Sequence, residues 1–290
     1  MKLIVRHQTS YSYGAGSSRV AMLLKLMPRR HHGQRVLEWQ VTVNDDPVFG
    51  FAPNGYGDLE ALWIRHRHMT GVNVVATGMV ETSDTNGIIS GLDEHFNPRI
   101  YLRETALTEP SAAIRELAGS VRDGDPLDRL HALSAAVRDA VAYRPGITRP
   151  ETTAGEALMI GGGVCQDHAQ IFISAARSLG VPARYVAGYL ATQDGEALHE
   201  THAWAEAMVP GLGWVGFDTS NRVCVTDSYV RLASGLDADD AAPVRGSAMA
   251  AGTIGIDADV RIAQASDDER EQQLQKQQQQ QWTLPARARE

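Results

Sequence analysis

A cysteine at a predicted helix start is the residue of this sequence best suited to nucleophilic chemistry. Cys165 follows three glycines and precedes an apolar helical stripe made of Ala169, Phe172, Ile173, Ala176 and Leu179. The unbonded first-turn N–H groups and the helix dipole favour an anion there, so they stabilise the thiolate form of the cysteine. The Cys165 N–H is also a candidate oxyanion donor. Because a lone cysteine is more often a small core residue, this segment alone supports catalysis and packing about equally.

A histidine and an aspartate on two neighbouring predicted strands favour catalysis. The turn at 209–213 joins the strand that carries His202 to the strand that ends at Asp218. With the hairpin centred near Pro210, His202 lies directly opposite Asp218, at a Cβ separation of about 5 Å. Asp218 then accepts a hydrogen bond from one imidazole nitrogen, and the other nitrogen faces Cys165. A purely structural role, such as a strand histidine bonded to a carboxylate at a turn, explains each of the two segments taken alone. It does not explain why Cys165, His202 and Asp218 occur together.

The residues beside these three predict a substrate cleft. Gly163 lets a substrate backbone approach the sulfur, and Gln166 follows the nucleophile in the first helical turn. Period-two alternation places Trp204 on the same strand face as His202. We predict that Gly163, Gln166 and Trp204 line the cleft, with core packing an equally supported location for Trp204. The second cysteine, Cys224, is predicted to be a buried strand residue.

The first hundred residues predict β-structure. Alternating apolar and polar residues indicate strands at 3–5, 36–43, 59–64 and 72–82, and turn signals separate them. Short strands without intervening helices favour an antiparallel β-sandwich. Because no ionisable cluster of catalytic spacing occurs there, we expect a structural or substrate-positioning role for this region.

Helical periodicity replaces this alternation after residue 109. Asp125 and the proline after it predict a helix start, and further helical signals follow at 153–158 and at Cys165. Helices followed by an antiparallel sheet predict an α+β fold. The strands predicted for that sheet are Ala183–Leu190, 200–209 and Gly213–Asp218.

These elements predict three regions along the chain. A β-rich N-terminal domain occupies residues 1–105, and a catalytic domain occupies residues 106–265. The last region, 266–290, is polar and repetitive, with runs of glutamine. Such a composition predicts a mobile tail outside the core.

Composition limits the classes of partner. The chain carries 35 acidic and 27 basic residues, for a net charge of −8, which gives no reason to expect a nucleic-acid partner. No apolar run approaches the roughly 18 residues that span a bilayer, and no secretory signal is recognisable. The two cysteines are too few for a disulfide framework. We expect a cytoplasmic protein with no nucleic-acid or membrane partner.

Four segments resemble the bacterial transglutaminase-like proteins, a family of papain-type fold. They are 161–169 (GGGVCQDHA), 181–190 (VPARYVAGYL), 201–206 (THAWAE) and 213–218 (GWVGFD), and the segments at 143–146 and 242–246 resemble the flanking motifs. The β-rich first hundred residues are similar to the N-terminal domain of that family. One departure is Thr219-Ser220, where members commonly have Pro-Thr.

The resemblance implies a cysteine-dependent acyl transfer that needs no metal or cofactor. Cys165 is then the nucleophile, His202 the base and acid, and Asp218 the orienting group. The Cys165 thiolate attacks an amide of a peptide or protein, and His202 protonates the leaving amine, so that a thioester remains. Water then makes the protein a protease or amidase, whereas a second amine makes it a transglutaminase. We favour hydrolysis because water needs no second substrate site.

Two alternatives come from other functional classes. Cys165 with His168, and His199 with His202, have the spacing of paired zinc ligands. On one strand, however, residues three apart point to opposite faces, and Asp167 and His168 more simply support the helix start. A non-catalytic scaffold is the second alternative. Such domains typically lose the cysteine or the histidine, and both are present here.

Overall fold

Residues 1–94, 96–191, 201–250 and 252–265 are described by a computed structural model. His199 and the predicted tail at 266–290 lie outside the described residues. The strands that precede the helices are β1 (Lys2–Met27), β2 (Gln34–Val43), β3 (Asp46–Pro47), β4 (Ala52–Pro53), β5 (Leu59–Arg65), β6 (Met69–Thr82) and β7 (Ile88–Ile89).

The helical region and the strands after it complete the element order. A 3-10 helix at Pro98–Leu102 leads to α1 (Ala112–Gly119), α2 (Pro126–Ala140), β8 (Ala142–Tyr143), α3 (Ala154–Ile160), β9 (Gly162–Gly163) and α4 (Cys165–Ser178). The strands that follow are β10 (Ala183–Leu190), β11 (His202–Val209), β12 (Gly213–Asp218), β13 (Val223–Cys224), β14 (Tyr229–Gly235), β15 (Val244–Ala250) and β16 (Ile254–Gln264). None of the described helices has the length and apolar character of a membrane span.

The first sheet is built around the long strand β1. It has eight strands, in the order β3-β2-β6-β1-β5-β4, and β15 and β16 also pair with β1. The first half of β1 lies between β6 and β16, and its second half pairs with β5 and β15, all antiparallel. Residues 244–264, which follow β14 in sequence, therefore return to the sheet of the N-terminal region.

The second sheet carries the predicted catalytic strands. Its order is β13-β12-β11-β10-β14, with β7 paired to β12. Helix α4 packs against β10 and β11, where the small side chains of Ala203, Ala205 and Ala207 share one core with Phe172 of the helix. Small residues on the strand let the helix lie close to the sheet. Helices on one side of an antiparallel sheet confirm the predicted α+β class.

Local sequence signals fix where the helices begin. The Asp125 side chain accepts hydrogen bonds from the N–H groups of Leu127 and Asp128, which caps α2 as predicted. Thr153 and Glu156 cap α3 reciprocally. Helix α4 begins at Cys165, and Gly180 follows its end with a φ of 77°. Cys165 therefore lies at the first position of a helix, where the sequence predicts it.

Buried polar contacts join the two sheets. Arg231 of β14 donates hydrogen bonds to Glu206 of β11 and to Asp58, which precedes β5 in the first sheet. His7 of β1 lies 3.0 Å from the Tyr189 hydroxyl of β10. Because these groups are buried and bonded to each other, separating the sheets would leave them without partners. The two sheets are thus held against each other beside the catalytic strands.

Candidate active site

Asp167 shapes the helix start that carries Cys165. Its Oδ2 accepts hydrogen bonds from the Val164 N–H and from the Thr148 hydroxyl, each at 2.7 Å. Val164 is the N-cap residue and has no side-chain acceptor, so the third helical residue satisfies the backbone instead. A Cβ on Gly163 would lie 2.4 Å from the Asp167 Oδ2. Gly163 is therefore required by the helix start, and it does not line the cleft described below.

His168 supports the same turn and is not free to bind a metal. Its Nδ1 lies 2.8 Å from the Val164 carbonyl oxygen, its Nε2 lies 2.9 Å from the Val141 carbonyl oxygen, and the residue is fully buried. Both ring nitrogens are thus within hydrogen-bond distance of backbone carbonyl oxygens, so neither is available to bind zinc. Cys165 and His168 are therefore not a pair of zinc ligands. Within the described ranges, no group of three or more His, Cys, Asp or Glu residues is arranged to hold a metal ion.

Asp218 is a buried carboxylate that holds the His202 ring. The His202 Nε2 lies 2.6 Å from the Asp218 Oδ2, which also accepts from the Tyr229 hydroxyl and the Asn221 amide, each at 2.7 Å. The Ser220 hydroxyl donates to Oδ1 at 2.7 Å. Burial raises the pKa of Asp218, but these hydrogen bonds and the charge of His202 outweigh burial and lower it to about 2.

The hairpin register differs from the predicted one by two residues. The pairs Ala205–Phe217 and Val209–Gly213 centre the turn on Gly211, so the predicted direct opposition of His202 and Asp218 is wrong. Gly211 and Gly213 adopt positive φ angles of 83° and 87°, which places the turn one residue later than assumed. Because the displacement is even, both side chains stay on one face, and they meet diagonally across the hairpin.

Cys165 and Asp218 together keep the His202 ring protonated. Burial disfavours the imidazolium, but the hydrogen bond and negative charge of Asp218, together with the neighbouring Cys165, outweigh burial and raise the pKa of His202 to about 10. Since Nε2 is bonded to Asp218, Nδ1 is the nitrogen left for Cys165. The three predicted catalytic side chains are therefore brought together, in an order that suits a thiolate–imidazolium pair oriented by a carboxylate.

Trp204 does not line the cleft and belongs to the core behind the catalytic histidine. Its side chain is 1% exposed and packs edge-on against Tyr229, and its ring lies 6.3 Å from the His202 ring. Strand alternation turns Ala203 and Ala205 toward α4, so Trp204 lies on the other face of β11, in the core that also contains Tyr229. The tryptophan thus supports the imidazole from behind.

A cleft of about 420 Å³ opens at Cys165 and His202. Gln166 lines it as predicted, with its side-chain amide donating to the Pro150 carbonyl at 2.9 Å. The opposite wall comes from the first sheet. The cleft residues that are not predicted as site residues include His7, Thr9, Tyr11 and Ala258 of the first sheet, Tyr185 and Ala187 of β10, and Ala242, Pro243 and Val244.

The second thiol has a different environment. Cys224 lies half-buried on β13, where it pairs with Phe217. Burial raises the pKa of its thiol. Cys224 is outside the residues that line the cleft, so Cys165 is the thiol that a substrate in the cleft would meet.

Comparison with known proteins agrees with this geometry. Residues 115–219 match the Transglutaminase-like superfamily, and residues 3–81 match the Bacterial transglutaminase-like N-terminal region. A crystal structure of a protein from Cytophaga hutchinsonii, proposed to be a cysteine protease, superposes with a TM-score of 0.73 and 22% identity, covering 92% of each chain. At that identity the likeness shows the fold.

Two uncharacterised mycobacterial proteins are similar along most of their length. The one from Mycobacterium leprae is 26% identical over 283 residues, covering 91% of this chain and 99% of its own. The one from Mycobacterium tuberculosis is 28% identical over 278 residues, covering 83% of this chain and 86% of its own. With both regions matched and the papain-type fold in place, the chain belongs to the bacterial transglutaminase-like family.

Proposed function

We propose that the protein is a cysteine-dependent acyl-transfer enzyme that cleaves peptide or side-chain amides through a thioester. The observation that carries the proposal is the position of the His202 ring, held by buried Asp218 on one side and facing Cys165 on the other, at an open cleft. A purely structural role for His202 would not explain why its ring lies between a buried carboxylate and a thiol at an open cleft.

The chemistry follows from the protonation states at this site. The Cys165 sulfur attacks the amide carbonyl, a carbon–sulfur bond forms, and the carbonyl electron pair moves to oxygen. When the carbon–nitrogen bond breaks, the imidazolium of His202 gives its proton to the leaving amine. Water then attacks the thioester with neutral His202 as base, and the released thiolate and the protonated ring restore the starting state.

The cleft walls support a substrate that is uncharged around the scissile amide. Among the described lining residues there is no Asp, Glu, Lys or Arg. Burial lowers the pKa of the lining residue His7 to about 4, so its ring is neutral at ordinary pH. A charged substrate group would lose its hydration there without gaining a partner. We therefore expect neutral residues, such as glutamine or small apolar ones, at the acyl position.

Mass spectrometry of a peptide library incubated with the protein, with and without added primary amines, tests this function. We expect shortened or deamidated peptides, because water is the simplest acceptor. Peptide–amine adducts in place of hydrolysis products would instead identify a transamidase.

Two variants make the result specific to the proposed nucleophile. Cys165→Ala is expected to abolish turnover while the protein stays folded, and Cys224→Ala is expected to retain it. Full turnover by folded Cys165→Ala would end the proposal of a covalent thioester mechanism.

A further inference from the structure

Tyr185 places a phenol at the cleft that Cys165 also lines. It lies on β10 between Ala205 of β11 and Gly235 of β14, in the middle of the catalytic sheet. Its ring is 5% exposed and belongs to the core that α4 covers, and Tyr185 also lines the cleft together with Cys165. The side chain therefore runs through the core and ends at the cleft.

The Tyr185 hydroxyl has no hydrogen-bond partner in the part of the chain that the structure describes. The neighbouring phenols are bonded, since the Tyr229 hydroxyl donates to Asp218 and the Tyr189 hydroxyl meets His7. The oxygen of this hydroxyl is not one of the fully buried unpaired atoms of the described residues, so it is open to the cleft and can bond what enters there.

The electrostatics of the site keep this hydroxyl a donor. Burial raises the pKa of Tyr185 well above its ordinary value, and the nearby negative charges of Cys165, Asp167 and Asp237 raise it further. The phenol thus stays neutral at any pH at which the thiolate–imidazolium pair exists. A neutral O–H can stabilise new negative charge without adding charge to the resting site.

We propose that Tyr185 is a catalytic residue that donates a hydrogen bond to the oxyanion formed when Cys165 attacks a carbonyl. The proposal rests on the proposed acyl-transfer function. The first-turn N–H of Cys165, which has no acceptor within the helix, is the second donor. As the carbon–sulfur bond forms, the carbonyl electron pair moves to oxygen and the two donors stabilise it without transferring a proton. When the tetrahedral intermediate collapses, the pair returns and the leaving group departs.

Two reagents separate this role from other uses of the hydroxyl. p-Nitrophenyl acetate acylates a cysteine through an oxyanion, and its leaving group needs no proton from His202. Iodoacetamide alkylates the same sulfur by displacing iodide, with no oxyanion. Both reactions need no physiological substrate, so they judge Tyr185 even if the enzyme's amide substrate is never found.

The rates of both reactions at Cys165 should be measured by intact-protein mass spectrometry in the wild type, Tyr185→Phe and Tyr101→Phe. Tyr101 is a fully buried phenol outside the cleft, so its variant controls for the loss of a core hydroxyl. We expect Tyr185→Phe to slow acylation by about a hundredfold or more while alkylation stays within about twofold of wild type. Tyr101→Phe is expected to leave both rates unchanged.

Three outcomes would contradict the proposal or the function beneath it. Wild-type acylation by Tyr185→Phe overturns the oxyanion role. An equal fall in acylation and alkylation also overturns it, because the hydroxyl would then act on the sulfur or on the fold. If p-nitrophenyl acetate acylates wild-type Cys165 but the protein turns over no amide, the proposed amide-cleaving function fails. The rate at which the ester acylates Tyr185→Phe then still decides the role of Tyr185.

Discussion

At His202 two opposing effects decide the charge of the ring. Burial favours the neutral imidazole, and the hydrogen bond with Asp218, together with the neighbouring Cys165, favours the cation strongly enough to raise the pKa of His202 to about 10. Asp218 holds its own charge through donors from Ser220, Asn221 and Tyr229. The family departure at Thr219-Ser220 therefore still provides a hydroxyl for the carboxylate. A protonated ring beside the thiol is the resting state that these contacts favour.

The pH dependence of amide cleavage should follow the His202 proton. Because the leaving amine takes this proton, the rate is expected to fall as the pH rises through about 10, the pKa of the ring. Asp218→Asn removes the carboxylate that raises this pKa. We expect its alkaline limit to move to lower pH and its kcat to fall about 10²–10⁴-fold.

The pH–rate profiles of the wild type and Asp218→Asn check this expectation. Asp139→Asn is a suitable control, because Asp139 is an exposed carboxylate that pairs with Arg222 away from the cleft. An unchanged alkaline limit in Asp218→Asn would show that Asp218 does not set the charge of the ring.

The identities of the reacting side chains can be predicted from sequence, but their contacts cannot. A cysteine after a glycine run, and a histidine and an aspartate on one hairpin, are visible as residue types at a spacing. The geometry of the turn is not visible in the sequence, because either Pro210 or Gly211 can form its centre. The strand pairs place the centre at Gly211. Tyr185 was missed because an aromatic residue in an apolar strand ordinarily indicates core packing.

At the scale of an element, the start of α4 depends on the side chain of Asp167, the third residue of the helix. Val164 cannot accept a hydrogen bond with its side chain, and the turn is held instead by Asp167, which accepts from the Val164 N–H and from the Thr148 hydroxyl. Helix starts elsewhere in the chain use ordinary caps, such as Asp125 on α2. The position of the sulfur therefore depends on one buried carboxylate.

Removing that carboxylate should disable the site without unfolding the protein. Asp167→Ala is expected to lose about 1–2 kcal/mol of unfolding free energy and to slow Cys165 alkylation, because the first helical turn frays. Asp125→Ala removes a comparable cap from α2, far from the cleft. We expect a similar loss of stability there with unchanged alkylation. Denaturant unfolding and thiol alkylation of both variants measure the difference, and equal alkylation rates would contradict it.

Strands and helices with strong periodicity could be predicted, and those with polar buried positions could not. β10 and β12 have the bounds that alternation predicts. β1 extends to Met27 because its buried positions continue through His7 and Thr9, which interrupt the apolar pattern after Val5. The strand at 254–264 alternates weakly and is largely exposed, so its partner in the first sheet is not visible in the sequence.

At the scale of the whole molecule, the first sheet supplies one wall of the cleft. Thr9 of β1 and Ala258 of β16 are paired neighbours in the first sheet and both line the cleft across from Cys165. The buried contacts of Arg231 with Asp58 and Glu206 hold this sheet against the catalytic one. The substrate-positioning role expected for the N-terminal region therefore has a structural basis in these residues.

A bulky side chain on this wall should hinder peptides without affecting the thiol. Ala258 is exposed, so Ala258→Trp is expected to fold normally and to lower kcat/KM for peptide amides by about tenfold through a higher KM. Ala263→Trp places the same ring at another exposed position of β16, outside the cleft. Steady-state kinetics of both variants test whether the first sheet contacts the substrate. Equal kcat/KM values for the two variants would show that it does not.

The most direct test of the activated nucleophile compares the two thiols of the folded wild-type protein. Iodoacetamide labelling followed by peptide mass spectrometry gives separate rates for Cys165 and Cys224. Because the His202 ring beside Cys165 stays protonated up to about pH 10, we predict that Cys165 reacts faster than Cys224 at neutral pH. Equal rates at both thiols, or a faster reaction at Cys224, would contradict the thiolate–imidazolium pair.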